Sequence, residues 1–522
     1  MSRCPSSIFN DVLGPIMRGP SSSHVAAAAR IGRLIRMSCP EGIRSVTVDF
    51  DPTGSLAESY HGHGSDIGLV SGLMGMELTD SRVGEALLIA REAGLEVSFR
   101  ILEYGAAHPN NYRMAVTSCR GETTCWEAVS TGGGMVELWR LDGCRLSVQG
   151  DYHELIVCCG AGDLPAVKAA LERIPAEEMA SGSCGDRGLV DVKMLLPPEE
   201  QTVSALERLP GVRRVIRLAP ILPTMSRAGC TVPFRTAEEM LAYAAGKDLG
   251  MWQLAALYES RRGGVTEEEV ERKMDALADI MENAVAEGLR GTVYEDRILG
   301  PQAYLMDRPR QNGLFPAELT RRVIRNITAV MEVKSAMGVI VAAPTAGSCG
   351  CLPGTVTAVA ETLGLGRADV VRGLLAAGLI GVFVSEQATF AAEVAGCQAE
   401  CGVGSAMAAA AVTQMLGGSA EQCVDAASMA LQNVTGLACD PVANRVEVPC
   451  LGKNIMGGSN AVAAAAMALA GYDKVVPLDQ TIQAMYDIGQ KLPLELRCTY
   501  GGLGKTAASA EILRRLQKRD NN

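Results

Sequence analysis

The sequence predicts a multidomain chain, α+β over its first part and all-α thereafter. Up to residue 218, alternating apolar segments such as VTVDF, HELIVCC and LVDVKMLL are interleaved with helical stretches. Beyond the proline-containing link LAPILPTMSRAG, apolar residues recur at the three- and four-residue spacing of helices. At 522 residues the chain is also longer than one core usually serves. These observations place an α/β domain at 1–150, a small α+β module at 151–222 and a helical domain at 223–522.

Composition narrows the function. Hydrophobic residues make up 48% of the chain and aromatics only 4%, so helices built on Ala, Val, Leu and Gly should pack closely. The net charge of -11 and the absence of a clustered Lys/Arg surface argue against a nucleic-acid partner. ILRRLQKRDNN is basic, but cations at a helix end are ordinary. The start MSRCPSSIFNDVLG lacks an apolar signal core, and GLLAAGLIGVFV at 373–384 falls short of the roughly 20 residues of a membrane span, so we expect a cytoplasmic protein without a membrane partner. Seventeen cysteines, an odd number, fit reduced thiols.

Polar clusters then appear in order. A Gly-Pro turn leads into Ser21, Ser22, Ser23 and His24 ahead of an Ala-rich helical stretch. These residues read either as an ordinary capped helix or as a carboxylate-binding nest at a helix N-terminus. His61 and His63 lie in the glycine-rich loop HGHGSD, where the i, i+2 spacing suits acid-base or substrate-binding work, or a hydrogen-bonded surface loop, better than shared zinc ligation. His108, Asn110, Asn111 and Arg113 crowd a turn between strands; Arg offers a planar fork for a carboxylate, and His-Pro-Asn is also good turn chemistry. Residues 153–218 read as strand, helix, strand, helix, strand, with SGSCGDRG as a loop, and Cys158, Cys159 and Cys184 as structural thiols.

In the helical part, VIVAAPTAGSCGCLPG at 339–354 interrupts the helical pattern with Pro, Gly and hydroxyl residues that let backbone N–H groups approach a ligand. Cys397, Cys439 and Cys450 stand in segments of Ala, Gly, Val and Met, a soft donor set that suggests a metal centre. An iron-sulfur cluster normally takes four thiolates, so three would leave one iron open as a Lewis acid. Cys349 and Cys351 read as bystanders.

As an ordered set these pieces resemble the bacterial iron-sulfur L-serine dehydratases (L-serine ammonia-lyases). GPSSSH at 19–24, GSLAESYHGHGSD at 54–66 and HPNNYR at 108–113 resemble motifs of the family's beta part. APTAGSCGCLPG at 343–354, GCQAE at 396–400, GLACDP at 436–441, VEVPCLGKN at 446–454 and GGL at 501–503 resemble its alpha part. The resemblance implies a beta-type substrate domain, an ACT-like module and an alpha-type cluster domain. It also implies a [4Fe-4S] cluster on Cys397, Cys439 and Cys450, no pyridoxal phosphate, L-serine as substrate and a homodimer. Ser21, Ser22, Ser23 and His24 would hold the substrate carboxylate, with Gly54, Ser55, His108, Asn110, Arg113, Thr345, Ala346, Gly347 and Ser348 in the pocket, and His63, then His61, as base.

Three positions depart from the family pattern. Val25 stands where the SSSH motif is usually followed by Thr, AEVAGC carries one residue more than the common form, and the chain ends without the cysteine that caps the open iron in some members, Cys498 being nearest. Two rival readings follow: an iron-sulfur dehydratase of threonine, D-serine or another small hydroxy acid, and a non-catalytic amino-acid sensor with a structural metal such as zinc.

Overall fold

The computed structural model describes residues 4–19, 21–307, 318–499 and 501–520. Two compact units emerge: Arg18–Gly229, and a second formed by Met1–Met17 together with Cys230–Asn522.

The unit Arg18–Gly229 holds a six-stranded sheet in the order Glu96–Ile101, Ile43–Phe50, Asn111–Ser118, Thr123–Gly132, Met135–Leu141, Cys144–Val148. Only the first pair is parallel. The alternation of VTVDF is that of a strand with Val46 and Val48 in the core. Helices Ser22–Met37 and Ser65–Leu73 cross at contact distance, because glycines remove the side chains that would hold them apart. A Cβ on Gly32 would lie 2.2 Å from Leu69 O, on Gly68 2.4 Å from Val25 O, and on Gly72 2.1 Å from Ala29 O. Val25 itself is buried.

The same unit carries a four-stranded antiparallel sheet, ordered Val212–Leu218, His153–Gly160, Arg187–Met194, Glu178–Cys184, with helices Leu164–Leu171 and Glu200–Glu207. Its order of elements is β-α-β-β-α-β, so the SGSCGDRG segment is not a loop. Residues 178–184 form an edge strand, and Gly185 at φ 61° turns it into its partner. That strand is hidden in the sequence because its side chains are mostly exposed and carry no apolar alternation. Leu155, Val157, Val190 and Val192 form the core of this module, while Ile156, Leu189, Ile216 and Leu218, on the opposite face, join the core of the six-stranded sheet.

The other unit is helical. Its core is the close packing of Ala- and Gly-rich helices, among them Cys351–Leu363, Arg367–Gln387, Val403–Met415, Ala420–Gln432 and Cys450–Leu469. Arg367–Gln387 is longer than its apolar core suggests: by length and composition it matches a membrane span, yet 78% of its apolar window is buried within the protein. Residues 4–17, which the sequence groups with the first domain, pack here instead. Ile8, Phe9, Val12 and Leu13 enter the helical core, and Val12 sits over Gly381, where a Cβ would come within 2.1 Å of its side chain. The segment then runs beside the interrupted stretch, with Gly14 N donating to Ala342 O at 3.0 Å and Ala342 N to Pro15 O at 3.2 Å.

Candidate active site

Cys397 precedes a short π-helical turn, Gln398–Gly402, that places Glu400 on the same side as its sulfur. Among the described residues, the sulfurs of Cys397 and Cys439 and a carboxylate oxygen of Glu400 lie within 4.8 Å of one another, the one such cluster of potential metal ligands. Cys401 and Cys439 donate hydrogen bonds to Cys397 and the Lys453 ammonium stands near, so Cys397 is held as thiolate far more easily than an ordinary cysteine. The same contact pushes Cys439 and Cys401 upward. Cys450, first residue of the helix Cys450–Leu469, is not part of the triplet. It is buried, and burial followed by the Cys397 charge pushes its thiol up to about 12.

Sequence reading overlooked four residues around this centre. Glu400 is half-buried, and loss of solvent around its carboxyl drives it well above the usual carboxylate range, the Cys397 charge adding to the effect. Its Oε1 accepts from Thr345 Oγ1 at 2.7 Å, and a Cβ on Gly347 would stand 3.0 Å from it. Asn454, fully buried, links the interrupted stretch to the cysteines. Its Oδ1 accepts from Cys351 N at 2.9 Å, and its Nδ2 donates to Gly347 O and to Cys450 O, both at 2.8 Å. Lys453 Nζ donates to Ala438 O at 2.6 Å and pairs with Asp440 at 2.9 Å, fixing the approach to Cys439. Cys401 was the fourth. The signals were present in GCQAE and VEVPCLGKN, where a carboxylate, a second thiol, a lysine and an amide flank the cysteines. Only the π-turn and the start of the helix at Cys450 show that they converge.

Cys498 also reaches this cluster. Cys439 N donates to Leu496 O at 2.8 Å and Cys498 N to Cys439 O at 2.9 Å, a short strand-like clasp that packs Cys498 against Cys397 and Cys439. Cys349 and Cys351 stand apart: Cys349 contacts Met331 Sδ at 3.9 Å and Cys351 lies in the main helical core. Ser348 Oγ donates to Ala343 O at 3.0 Å, and Ala346 beside it is half-buried. A buried set of soft sulfur donors with one thiolate stabilised by nearby donors and a lysine fits a thiophilic metal or an iron-sulfur group.

A second polar cluster forms in the unit Arg18–Gly229. The glycine crossing brings the start of helix Ser22–Met37 to the turn before Ser65–Leu73, so the rings of His24 and His63 lie 4.7 Å apart. Burial, and then His63, lowers His24 to about 4, leaving a neutral imidazole at pH 7. Ser21 Oγ meets His24 Nδ1 at 2.7 Å, so the N-cap side chain does not cap the helix's first N–H groups. Ser23 is half-buried, and the Ser22 side chain lies outside the described residues.

The remaining sequence candidates in this unit are engaged locally. His61 projects into solvent, 79% exposed, with Nδ1 2.6 Å from the buried Asp66 carboxylate. Ser55 Oγ donates to Asn110 Oδ1, Ser55 N to Pro109 O at 3.0 Å, and Asn110 N to His108 Nδ1 at 3.1 Å. Gly54 is required in this zipper, since a Cβ would stand 2.7 Å from Pro109 O. The fork of Arg113 is taken: Nε and Nη2 donate to Asp49 at 3.2 and 2.9 Å while the guanidinium lies 4.1 Å over the Tyr104 ring.

The family model for the serine dehydratase alpha chain matches residues 201–503. The chain is 39% identical to the probable L-serine dehydratase alpha chain of Bacillus subtilis over 285 residues, 54% of this chain and 95% of that protein. It is 31% identical to the probable beta chain from the same organism over 219 residues, 41% of this chain and 98% of that protein. Against the L-serine dehydratase of Streptomyces coelicolor it is 32% identical over 275 residues, 52% of this chain and 60% of that protein. The chain belongs to the serine dehydratase family, with beta-type and alpha-type parts fused in one polypeptide.

Proposed function

We propose that the protein is an L-serine ammonia-lyase that converts L-serine to pyruvate and ammonia. The observation that carries this reading is the cluster of Cys397, Cys439 and Glu400, whose ligand atoms lie within 4.8 Å of one another, in a chain matching both dehydratase parts. Cys397, Cys439 and Cys450 would hold a [4Fe-4S] cluster, which supplies, when bound, a Lewis-acidic iron for the departing hydroxyl, so no pyridoxal phosphate is required.

The chain's own residues supply the rest. The uncapped first turn at Ser21, Ser22 and Ser23 presents backbone N–H groups and a positive dipole end to the substrate carboxylate. His24 stays neutral, which keeps it available as a hydrogen-bond partner at the head of the same helix. His63 takes the Cα proton, and loss of the β-hydroxyl leaves an enamine that becomes an imine and hydrolyses in water. His61, tied to Asp66 and facing solvent, is the second choice as base. Gly54, Ser55, His108, Asn110 and Arg113 are assigned to shaping the substrate loop, and Thr345, Ala346, Gly347 and Ser348 to the wall beside Glu400.

On this reading residues 18–150 form the beta-type substrate domain, and 223–522, with segment 4–17 packed on their core, the alpha-type cluster domain. Residues 151–222 form an ACT-like module, whose β-α-β-β-α-β order supports the assignment. The enzyme is assigned to the cytoplasm as a homodimer. The test is pyruvate release by anaerobically prepared protein offered L-serine, D-serine and L-threonine in parallel. L-Serine should give the highest kcat/KM; preference for another hydroxy amino acid would transfer the assignment to that substrate, and inertness toward all three would refute it.

A further inference from the structure

Away from the metal-binding cysteines, two other thiols meet. Cys4 Sγ and Cys230 Sγ lie 3.5 Å apart, although 226 positions separate them in sequence. Both are half-buried, so an oxidant can reach them while the surroundings hold their orientation. A disulfide needs sulfurs at about 2.05 Å, about 1.5 Å closer than these two stand.

The residues beside Cys4 are fixed by two buried charges, Arg262 and Glu259, and by the half-buried Glu386. Arg262 Nε donates to Pro5 O at 3.1 Å, Ser6 N donates to Glu386 at 2.6 Å, and Glu259 accepts from Ser7 Oγ at 2.5 Å and Ile8 N at 2.8 Å. The same Arg262 guanidinium, almost fully buried, interacts electrostatically with both Cys4 and Cys230. Cys230 is the first residue of the helical unit after the intervening unit ends at Gly229. The far end of segment 4–17 pairs with Ala342, three residues ahead of Thr345.

We propose that Cys4 and Cys230 are a reversible redox pair whose disulfide staples segment 4–17 onto the helical unit. The oxidant is a hydroperoxide. One thiolate sulfur attacks the peroxide, breaking the O–O bond and forming a sulfenic acid. The second thiolate then attacks that sulfur, forming the S–S bond and expelling hydroxide. With hydrogen peroxide the two sulfurs lose two electrons, and the two thiol protons leave in two waters. A dithiol reductant reverses the change by thiol-disulfide exchange. The staple is independent of serine turnover, and its readout needs none.

The test uses the full chain, prepared anaerobically and fully reduced, then treated with hydrogen peroxide and digested with trypsin without reduction. The peptides Cys4–Arg18 and Ala228–Arg235 should appear joined, at a mass about 2 Da below their sum, and separate again with dithiothreitol. The joined species should form while the exposed Cys119 and Cys184, which among the described residues have no thiol at contact distance to trap a sulfenic acid, still hold no disulfide. It should be missing from Cys4→Ser and Cys230→Ser. Amide exchange over residues 5–14 should slow about tenfold in the oxidised wild type. If Cys4 and Cys230 remain separately alkylatable while Cys119 and Cys184 oxidise, the pair is not redox-active. If the joined peptide forms and exchange is unchanged, the stapling role is overturned.

Discussion

Thr345 Oγ1 donates a 2.7 Å hydrogen bond to Glu400 Oε1, and the other oxygen of Glu400 stands 3.9 Å from Cys397 Sγ. The hydroxyl of the interrupted stretch is thereby tied, through one half-buried carboxyl, to the cysteine that most readily carries negative charge. Thr345→Val keeps the shape and removes the donor, leaving the half-buried Glu400 acceptor short of a partner. Urea unfolding should show a loss of about 1–3 kcal/mol. No loss would mean that the bond contributes nothing in the folded state.

Asn454 makes a larger prediction, because one amide serves Gly350 N, Cys351 N, Gly347 O and Cys450 O. Asn454→Ala strands several buried backbone groups at once and should cost at least about 2 kcal/mol in urea unfolding, with metal content reduced in the same preparation. Full metal content with unchanged stability would show that the cysteine loop is held by other contacts.

The helix crossing at Gly72 should tolerate no side chain. A Cβ there would meet Ala29 O at 2.1 Å, which is backbone and cannot swing aside. Gly72→Ala should lower stability by about 1–3 kcal/mol and move the two helices that set the His24–His63 spacing. Unfolding midpoints check the first effect; the second should appear as an altered His24 titration followed by NMR.

A pH dependence comes from the small module. Glu154 and Asp191 are buried on the sheet face that also carries Lys193. Burial pushes Asp191 up to about 6 and Glu154 well above its ordinary range, the latter further by the Asp191 charge. The folded protein therefore holds protons that the unfolded chain releases near pH 4, so this contribution is complete below about pH 4 and is lost as pH rises through about 6. Glu154→Gln should flatten the fall in melting temperature between pH 5 and pH 8. Parallel curves for variant and wild type would contradict it.

His24 has the opposite sign. Its folded pKa of about 4 lies below the ordinary 6.5, so its contribution to stability is present above pH 6.5 and lost as pH falls toward about 4. His24→Gln should be less sensitive than wild type over that interval in thermal unfolding.

How much of this was legible depended on whether local residues carried the signal. Cys397, Cys439 and Cys450 stood out as soft donors in apolar segments, and Ser21 and His24 as a helix start, because residue type and spacing suffice there. Glu400 and Asn454 lay within the quoted motifs, but their partners are 55 and 107 positions away at Thr345 and Gly347, a tertiary fact. Arg113 offered a free fork in sequence. The pairing of its strand with Ile43–Phe50 delivers Asp49 to it. The edge strand Glu178–Cys184 lacked a buried face and so lacked a pattern. Segment 4–17 showed apolar residues, but nothing local told which core they would enter.

The most direct test of the central claim is the iron and acid-labile sulfide content of anaerobically purified protein beside its Cys397→Ser variant. Wild type should carry about four irons per chain, matched by sulfide, with both lost in the variant together with pyruvate release from L-serine. A wild-type protein that stays free of iron after reconstitution, or that binds zinc and is colourless, would contradict it.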